Sequence, residues 1–174
     1  MDIKKVLEIF DAEIHKYGFK KKGKLFYRTI NEITQLIGIE KSSWGKSFSI
    51  DVGIYLPDLE EVGSDNKTPK NMAYCHLYRT ITALIDDIEY RKKIIYDYYK
   101  FDNISEDKLA ENIKLLFKVF MEIKLFELLE SLSSMEKILE YLEKDKHVYL
   151  LQTRNITKED FILKIEGLMR FRLQ

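Results

Sequence analysis

Three histidines, one cysteine and a handful of carboxylates are the side chains of this sequence that could do acid–base or nucleophilic chemistry. Histidine is the residue best suited to proton transfer near neutrality. His76 is the histidine with candidate neighbours. It lies in MAYCHLY at 72–78, an apolar and aromatic run that reads as a strand. With Cys75 and Leu77 toward the core, Tyr74, His76 and Tyr78 share the opposite face, because successive strand side chains alternate. Ser49, Asp51 and Tyr55 of a neighbouring strand could occupy the same face. An Asp oriented toward a His is the beginning of a general-base arrangement. The competing expectation, and the stronger one, is the wet side of an antiparallel sheet.

The remaining chemistry-bearing residues point to structure. His15 falls beside the polar face of a first helix, and His147 next to a helix end, where the dipole stabilises a cation. Cys75 adjoins His76 but points to the other face of a strand, so it reads as a buried, inert thiol rather than half of a Cys–His pair. One cysteine and three scattered histidines supply no four-ligand zinc set. No Gly-x-Gly-x-x-Gly or P-loop pattern is present, since Gly18, Gly23 and Gly38 have the wrong spacing. No metal and no cofactor is expected.

Two features suggest binding instead. Lys20, Lys21, Lys22, Lys24 and Arg28 crowd the first strand, and residues 1–30 hold eight Lys/Arg against four Asp/Glu. With Trp44 nearby this could form a basic, aromatic surface for phosphate backbones. The alternative is a charged edge that discourages strand-to-strand aggregation. Trp44, the single tryptophan, sits in a Ser/Gly turn. It is a candidate interface anchor, because binding hot spots favour Trp, Tyr and Arg.

These residues must be positioned by an α+β fold. Ile3, Val6, Leu7, Phe10, Ile14 and Tyr17 recur at helical steps and predict a helix over 3–17, closed by Gly18. Strands follow at 24–30 and 33–41, with Asn31-Glu32 as the turn between them. The five-fold alternation from Phe48 to Leu56 marks a third strand, which Pro57 ends, and the polar stretch 58–71 reads as a loop. A fourth strand at 72–78 completes an antiparallel meander. From about residue 80 the chain reads as helical, with a stripe beginning at Ile81 and start signals at Ser105, at Ser133 with Glu136, and at Thr157. Within the apolar stretch 113–132, Lys124 falls about 160° from Glu122, so that helix either breaks near 122–125 or is covered on nearly all sides. Residues 147–152 read as a short extended segment.

The run GFKKKGKLFYRTINEITQLIGIEKSSWGKSFSIDVGIYLP at 18–57, with CHLYR at 75–79, resembles the bacterial family known as domain of unknown function 4304. The resemblance covers about residues 1–80. It implies an N-terminal helix followed by four strands in a bacterial protein, and it implies no activity.

Composition narrows the rest. A chain of 174 residues fits one domain, here 1–80 as helix plus sheet and 81–174 as its helical part. Lys+Arg and Asp+Glu are equal at 29, so no global field draws in polyanions or membranes. The most apolar stretch carries charges that would each cost about 2.5–3.5 kcal/mol at mid-bilayer, so it is not a membrane span. The N-terminus lacks the uninterrupted apolar core of a signal peptide, and a lone cysteine suits a reducing compartment. The expected role is a non-enzymatic protein-binding module of a bacterial cytoplasm, of an immunity or accessory type, with Arg28, Trp44, Asp51, Tyr55, His76 and Arg79 as its candidate contact residues. The alternatives are a small hydrolase or transferase centred on His76 with Asp51, and weak nucleic-acid binding through 20–28.

Overall fold

The apolar stripe of the first segment forms α1, Ile3–Ile14, and buries Val6, Leu7, Phe10 and Ile14. One 3-10 turn, His15–Tyr17, extends it, and Gly18 closes it at φ +79°, a conformation that costs glycine nothing. In the computed structural model the described residues are 2–42, 47–59, 68–85, 87–144 and 156–172. Trp44, His147, the extended segment expected at 147–152 and residues 60–67 of the expected loop lie outside them.

The sheet is the expected antiparallel meander with one strand more. Its order is β1 (Lys20–Lys22), β2 (Leu25–Ile30), β3 (Ile33–Lys41), β4 (Phe48–Tyr55) and β5 (Leu77–Thr80). The added strand is the lysine run, which pairs Lys20 with Tyr27 and Lys22 with Leu25 around a turn at Gly23, φ +64°. Asn31, at φ +53°, makes the turn that sets Ile30 opposite Ile33.

Register divides the sheet into two faces. Phe26, Ile37, Val52 and Leu77 lie on one and enter the main core with the helices. Leu25, Leu36 and Tyr55 lie on the other and pack with Met72 and Cys75. The second face is therefore dry over its centre, contrary to the expected wet side, and β3 is buried at every position from Ile33 to Ile39.

Two glycines make room for this cover. A Cβ on Gly38 would meet Met72 Cγ at 2.6 Å, and one on Gly53 would meet the Cys75 Cβ at 2.9 Å. The segment that supplies Met72 and Cys75 is not a strand. Asn71 Oδ1 accepts from the Ala73 amide at 2.9 Å and starts a 3-10 turn at Met72–Tyr74. The fourth expected strand thus begins only at Leu77, because the residues before it must lie flat on the sheet rather than pair along its edge.

The second half is helical as expected. Ile81–Leu84 is a 3-10 turn, and α2, Ile88–Tyr98, begins where Asp87 accepts from the Tyr90 amide at 2.9 Å. The chain then returns to the sheet, where Phe48 N–H donates to the Tyr99 carbonyl at 3.0 Å. Ser105 caps α3, Glu106–Leu116, by accepting from the Lys108 amide at 3.2 Å. This helix does not break near 122–125. It passes into a π-helical segment, Phe117–Leu125, and then α4, Phe126–Glu130. The wider turn keeps Phe117, Met121, Leu125, Phe126 and Leu129 buried while Glu122 and Lys124 stay exposed. Next comes α5, Met135–Lys144, capped by Ser134 rather than Ser133, since Ser134 Oγ accepts from the Lys137 amide and Ser133 Oγ donates to the Glu130 carbonyl. Thr157 caps α6, Lys158–Arg172, through the Asp160 amide at 3.0 Å. Among the described residues no helix is long and apolar enough to cross a membrane.

Gly53→Ala is expected to destabilise the protein by about 1–3 kcal/mol, because the new methyl group must displace a buried main-chain-proximal group. Urea unfolding of Gly53→Ala beside Gly38→Ala checks it. Met72→Ala should partly rescue Gly38→Ala, whose clash is with a side chain alone.

Candidate functional site

The covered face of the sheet ends in polar residues, and Asp51 is the centre of them. Strand β4 places it opposite Gly38 on one side and Thr80 on the other. It is only 5% exposed. The Thr80 hydroxyl donates to Asp51 Oδ1 at 2.8 Å, and the Tyr78 hydroxyl also donates to this carboxylate. Burial raises the Asp51 pKa from its ordinary value, and these two hydrogen bonds only partly oppose that. Burial and the Asp51 charge together push the Tyr78 hydroxyl up. Tyr99 stacks on Phe48, is buried, and its hydroxyl has no hydrogen-bond partner among the described residues.

His76 belongs to a different corner. Leu77 pairs with Ile54, so His76 stands by Tyr55, four positions along the strand from Thr80 and about 13 Å away by strand rise. The structure therefore separates Asp51 from His76. The imidazole has local partners of its own. Its Nδ1 accepts from the buried Leu56 amide at 3.1 Å, which puts the proton of the neutral ring on Nε2. The ring lies 5.3 Å from Tyr55 and stacks on Phe161 of α6 at 6.1 Å, 12° from parallel. His76 thus ties the end of the sheet to the last helix.

Arg28 acts as a clasp of the same kind. It donates from Nε to Gln35 Oε1 at 2.9 Å, from one guanidinium nitrogen to the Tyr17 carbonyl at 3.1 Å, and from the other to Glu130 at 2.9 Å. Its guanidinium lies 4.9 Å over the Phe19 ring. This joins the sheet to the end of α1 and to α4. Beside it the Tyr17 hydroxyl donates to Glu122 at 2.5 Å, and burial followed by that carboxylate pushes the phenol up to about 12. Arg79 stands opposite Val52, half-buried beside Leu84 and Leu128.

The lysines of the expected basic surface are largely committed. Lys21 reaches Asp11 at 3.4 Å and the Leu7 carbonyl at 3.3 Å, Lys22 reaches the Thr68 carbonyl at 3.4 Å, and Lys24 pairs with Glu40 at 3.2 Å. Lys21 and Lys22 lie on β1, an edge of the sheet, where charge blocks further strand addition. Cys75 is a buried thiol in no disulfide, and burial pushes it up to about 12. Among the described residues no group of three His, Cys, Asp or Glu side chains could hold a metal ion.

The feature that sequence reading passed over is on α6. Phe161 and Ile165 are buried, while Leu163 is 63% and Phe171 78% exposed. A helix that is apolar on several sides gives no periodic signal to separate its inner from its outer face.

The family described as Domain of unknown function (DUF4304) matches residues 10–144. The chain belongs to the DUF4304 family. The match runs beyond the sheet half through α5, so the helices are as much part of the DUF4304 pattern as the strands, and α6 lies outside it. No curated protein and no solved structure matches the chain.

Two outcomes follow from this geometry. Because burial raises the Asp51 pKa above its ordinary value, the folded chain holds this proton to a higher pH than the unfolded chain does. Stability from this group is therefore highest at low pH and falls as pH rises through the folded pKa. Asp51→Asn should stabilise the protein at pH 7 and leave it nearly unchanged below pH 3.8, as denaturant titrations at both values would report. His76→Ala strands the Leu56 amide and should cost about 1–3 kcal/mol, with faster amide hydrogen exchange in α6.

Proposed function

We propose that this DUF4304 protein is a non-enzymatic binding module that works by docking a protein partner, with the outer face of α6 as the contact surface. The observation that carries the reading is the exposure of Leu163 and Phe171, at 63% and 78%, on either side of Gly167. Large apolar side chains held in the open cost hydration free energy, and an exposed apolar face is a common mark of an interaction site. Aromatic and large aliphatic groups at the centre of a patch supply most of the affinity of an interface.

The state of the chemistry-bearing residues supports the same reading. Asp51 accepts from Thr80 and Tyr78, His76 accepts from Leu56 N–H, and Arg28 bridges Gln35, Tyr17 and Glu130. Each is spent on holding elements together. The buried thiol of Cys75, in no disulfide, suits the reducing environment of a cytoplasm.

The test is a comparison of wild type with Leu163→Ser/Phe171→Ser. Both positions are exposed, so the variant should keep its circular dichroism spectrum and unfold within about 1 kcal/mol of wild type. It should lose the proteins that wild type retains on an affinity column, identified by mass spectrometry and retested one by one as purified partners. Equal retention by the two proteins would overturn the reading.

A further inference from the structure

The apolar cover on the far side of the sheet runs directly past a buried acid. On that face β3 presents Leu36 and Gly38, and β4 presents Gly53 and Asp51 opposite them. The four positions make a square, since opposed residues lie about 5 Å apart and alternate ones along a strand about 7 Å. The two glycines occupy one diagonal. Met72 lies along it, with Cγ 2.6 Å from where a Cβ would stand on Gly38 and Cε 2.9 Å from the same point on Gly53. Its side chain therefore separates Leu36 from Asp51 and forms one wall of the space that holds the carboxyl group.

That wall gives the carboxyl group no donor, because a thioether only accepts, and weakly. Among the described residues the donors come from β5, as the hydroxyls of Thr80, at 2.8 Å, and of Tyr78. A carboxylate has about four lone-pair sites, whereas the neutral acid has fewer to fill and a proton to give. The closed cover thus suits the neutral acid and leaves the anion short of donors. Water supplies them once the cover lifts. Few other charges bear on the balance. Glu40, on the same face of β3, disfavours the anion and is itself paired with Lys24 at 3.2 Å. Tyr78, Tyr99 and the Cys75 thiol are all pushed up by burial and stay neutral in the neutral pH range. Arg79 stands on the opposite face, beside Val52.

We propose that Asp51 is a proton-operated latch on the Met72–Cys75 cover: the protonated acid keeps the cover seated in the glycine trough, and its ionisation lifts the cover and opens this face of the sheet. The sign follows from linkage. The open form, whose carboxyl group meets water, gives up its proton near the ordinary value of 3.8, and the closed form does so at a higher pH. Opening releases one proton, so it is favoured as the pH rises between these two points and levels off beyond the second. What it uncovers is Leu25, Leu36 and Tyr55, together with the thiol of Cys75. The latch is independent of what docks on α6.

Cys75, the single cysteine, reports the opening. Its rate of reaction with dithiodipyridine, divided by that of an unstructured cysteine peptide at the same pH, gives the fraction open and removes the thiol's own titration. Measured on the full chain from about pH 4 to pH 8, that fraction should climb in wild type by up to about tenfold per pH unit and then level. Asp51→Asn keeps an acceptor for Thr80 and Tyr78 without the charge, and should hold the fraction flat at the wild-type low-pH value. Glu40→Gln should keep the climb, which separates the two carboxylates. Thr80→Val removes one donor of the anion and should carry the climb to higher pH, a check that does not depend on the Asn variant. Circular dichroism verifies each fold, and urea unfolding gives the globally unfolded fraction at each pH. Labelling no faster than that fraction allows overturns the latch, as does a wild-type profile that is flat or is shared by Asp51→Asn. A climb abolished by Glu40→Gln overturns it as well.

Discussion

The close approach of one short segment to two glycines governs how this protein is built. Gly38 on β3 and Gly53 on β4 leave a shallow trough in the sheet, and Met72 and Cys75 fill it. Without the trough the 3-10 turn at Met72–Tyr74 would ride up on the strand side chains, and β5 would be carried away from β4. With it, both faces of the central strands are dry. The sheet then works as the middle layer between a helical core and a thin lid of its own chain. Asp51 is buried as a consequence, since it sits opposite Gly38 on the covered side. Its carboxylate is held there by Thr80 and Tyr78 at a cost in solvation.

Polar side chains elsewhere serve the same end of joining layers. Arg28 crosses from the sheet to α1 and α4, the phenol of Tyr17 reaches the π-helical segment, and His76 meets Phe161. Arg172 does so at the far end of α6, where it pairs with Asp58 and with Glu32 at 3.6 Å. The exposed large apolar side chains include Ile88 and Ile95 on α2, inside the DUF4304 match, and Leu163 and Phe171 on α6, outside it.

Much of this was legible in the sequence wherever a signal is local. The stripe from Ile3 to Tyr17, the alternation from Phe48 to Leu56, and the caps at Ser105 and Thr157 each depend on residues within a few positions of one another. The features that escaped depend on distant partners or on hydrogen-bonding geometry that side chains do not encode. Strand β1 is three exposed lysines and has no apolar periodicity. The fourth strand was drawn too long because MAYCHLY is rich in strand-favouring residues, while its first half is shaped by glycines on β3 and β4. The idea that Asp51 faces His76 failed on register alone: the residue opposite Asp51 is Thr80. The π-helical segment keeps the same residues buried that an α-helix with a kink would, so the apolar pattern could not tell them apart.

The meander has a consequence for the order in which the chain assembles. Each strand from β1 to β4 pairs with its immediate successor, and the turn at Asn31-Glu32 spans only two residues, so these pairings close with little loss of chain entropy. The docking of α6 is different in kind. Phe161 needs His76 in place, and Arg172 needs Glu32 and Asp58, so its seat exists only after the sheet has formed. The seat of the helix is therefore made by the sheet, and a change that loosens that end of the sheet loosens α6 with it. A fluctuation that lifts the helix adds Phe161 and Ile165 to the apolar surface it already shows through Leu163 and Phe171.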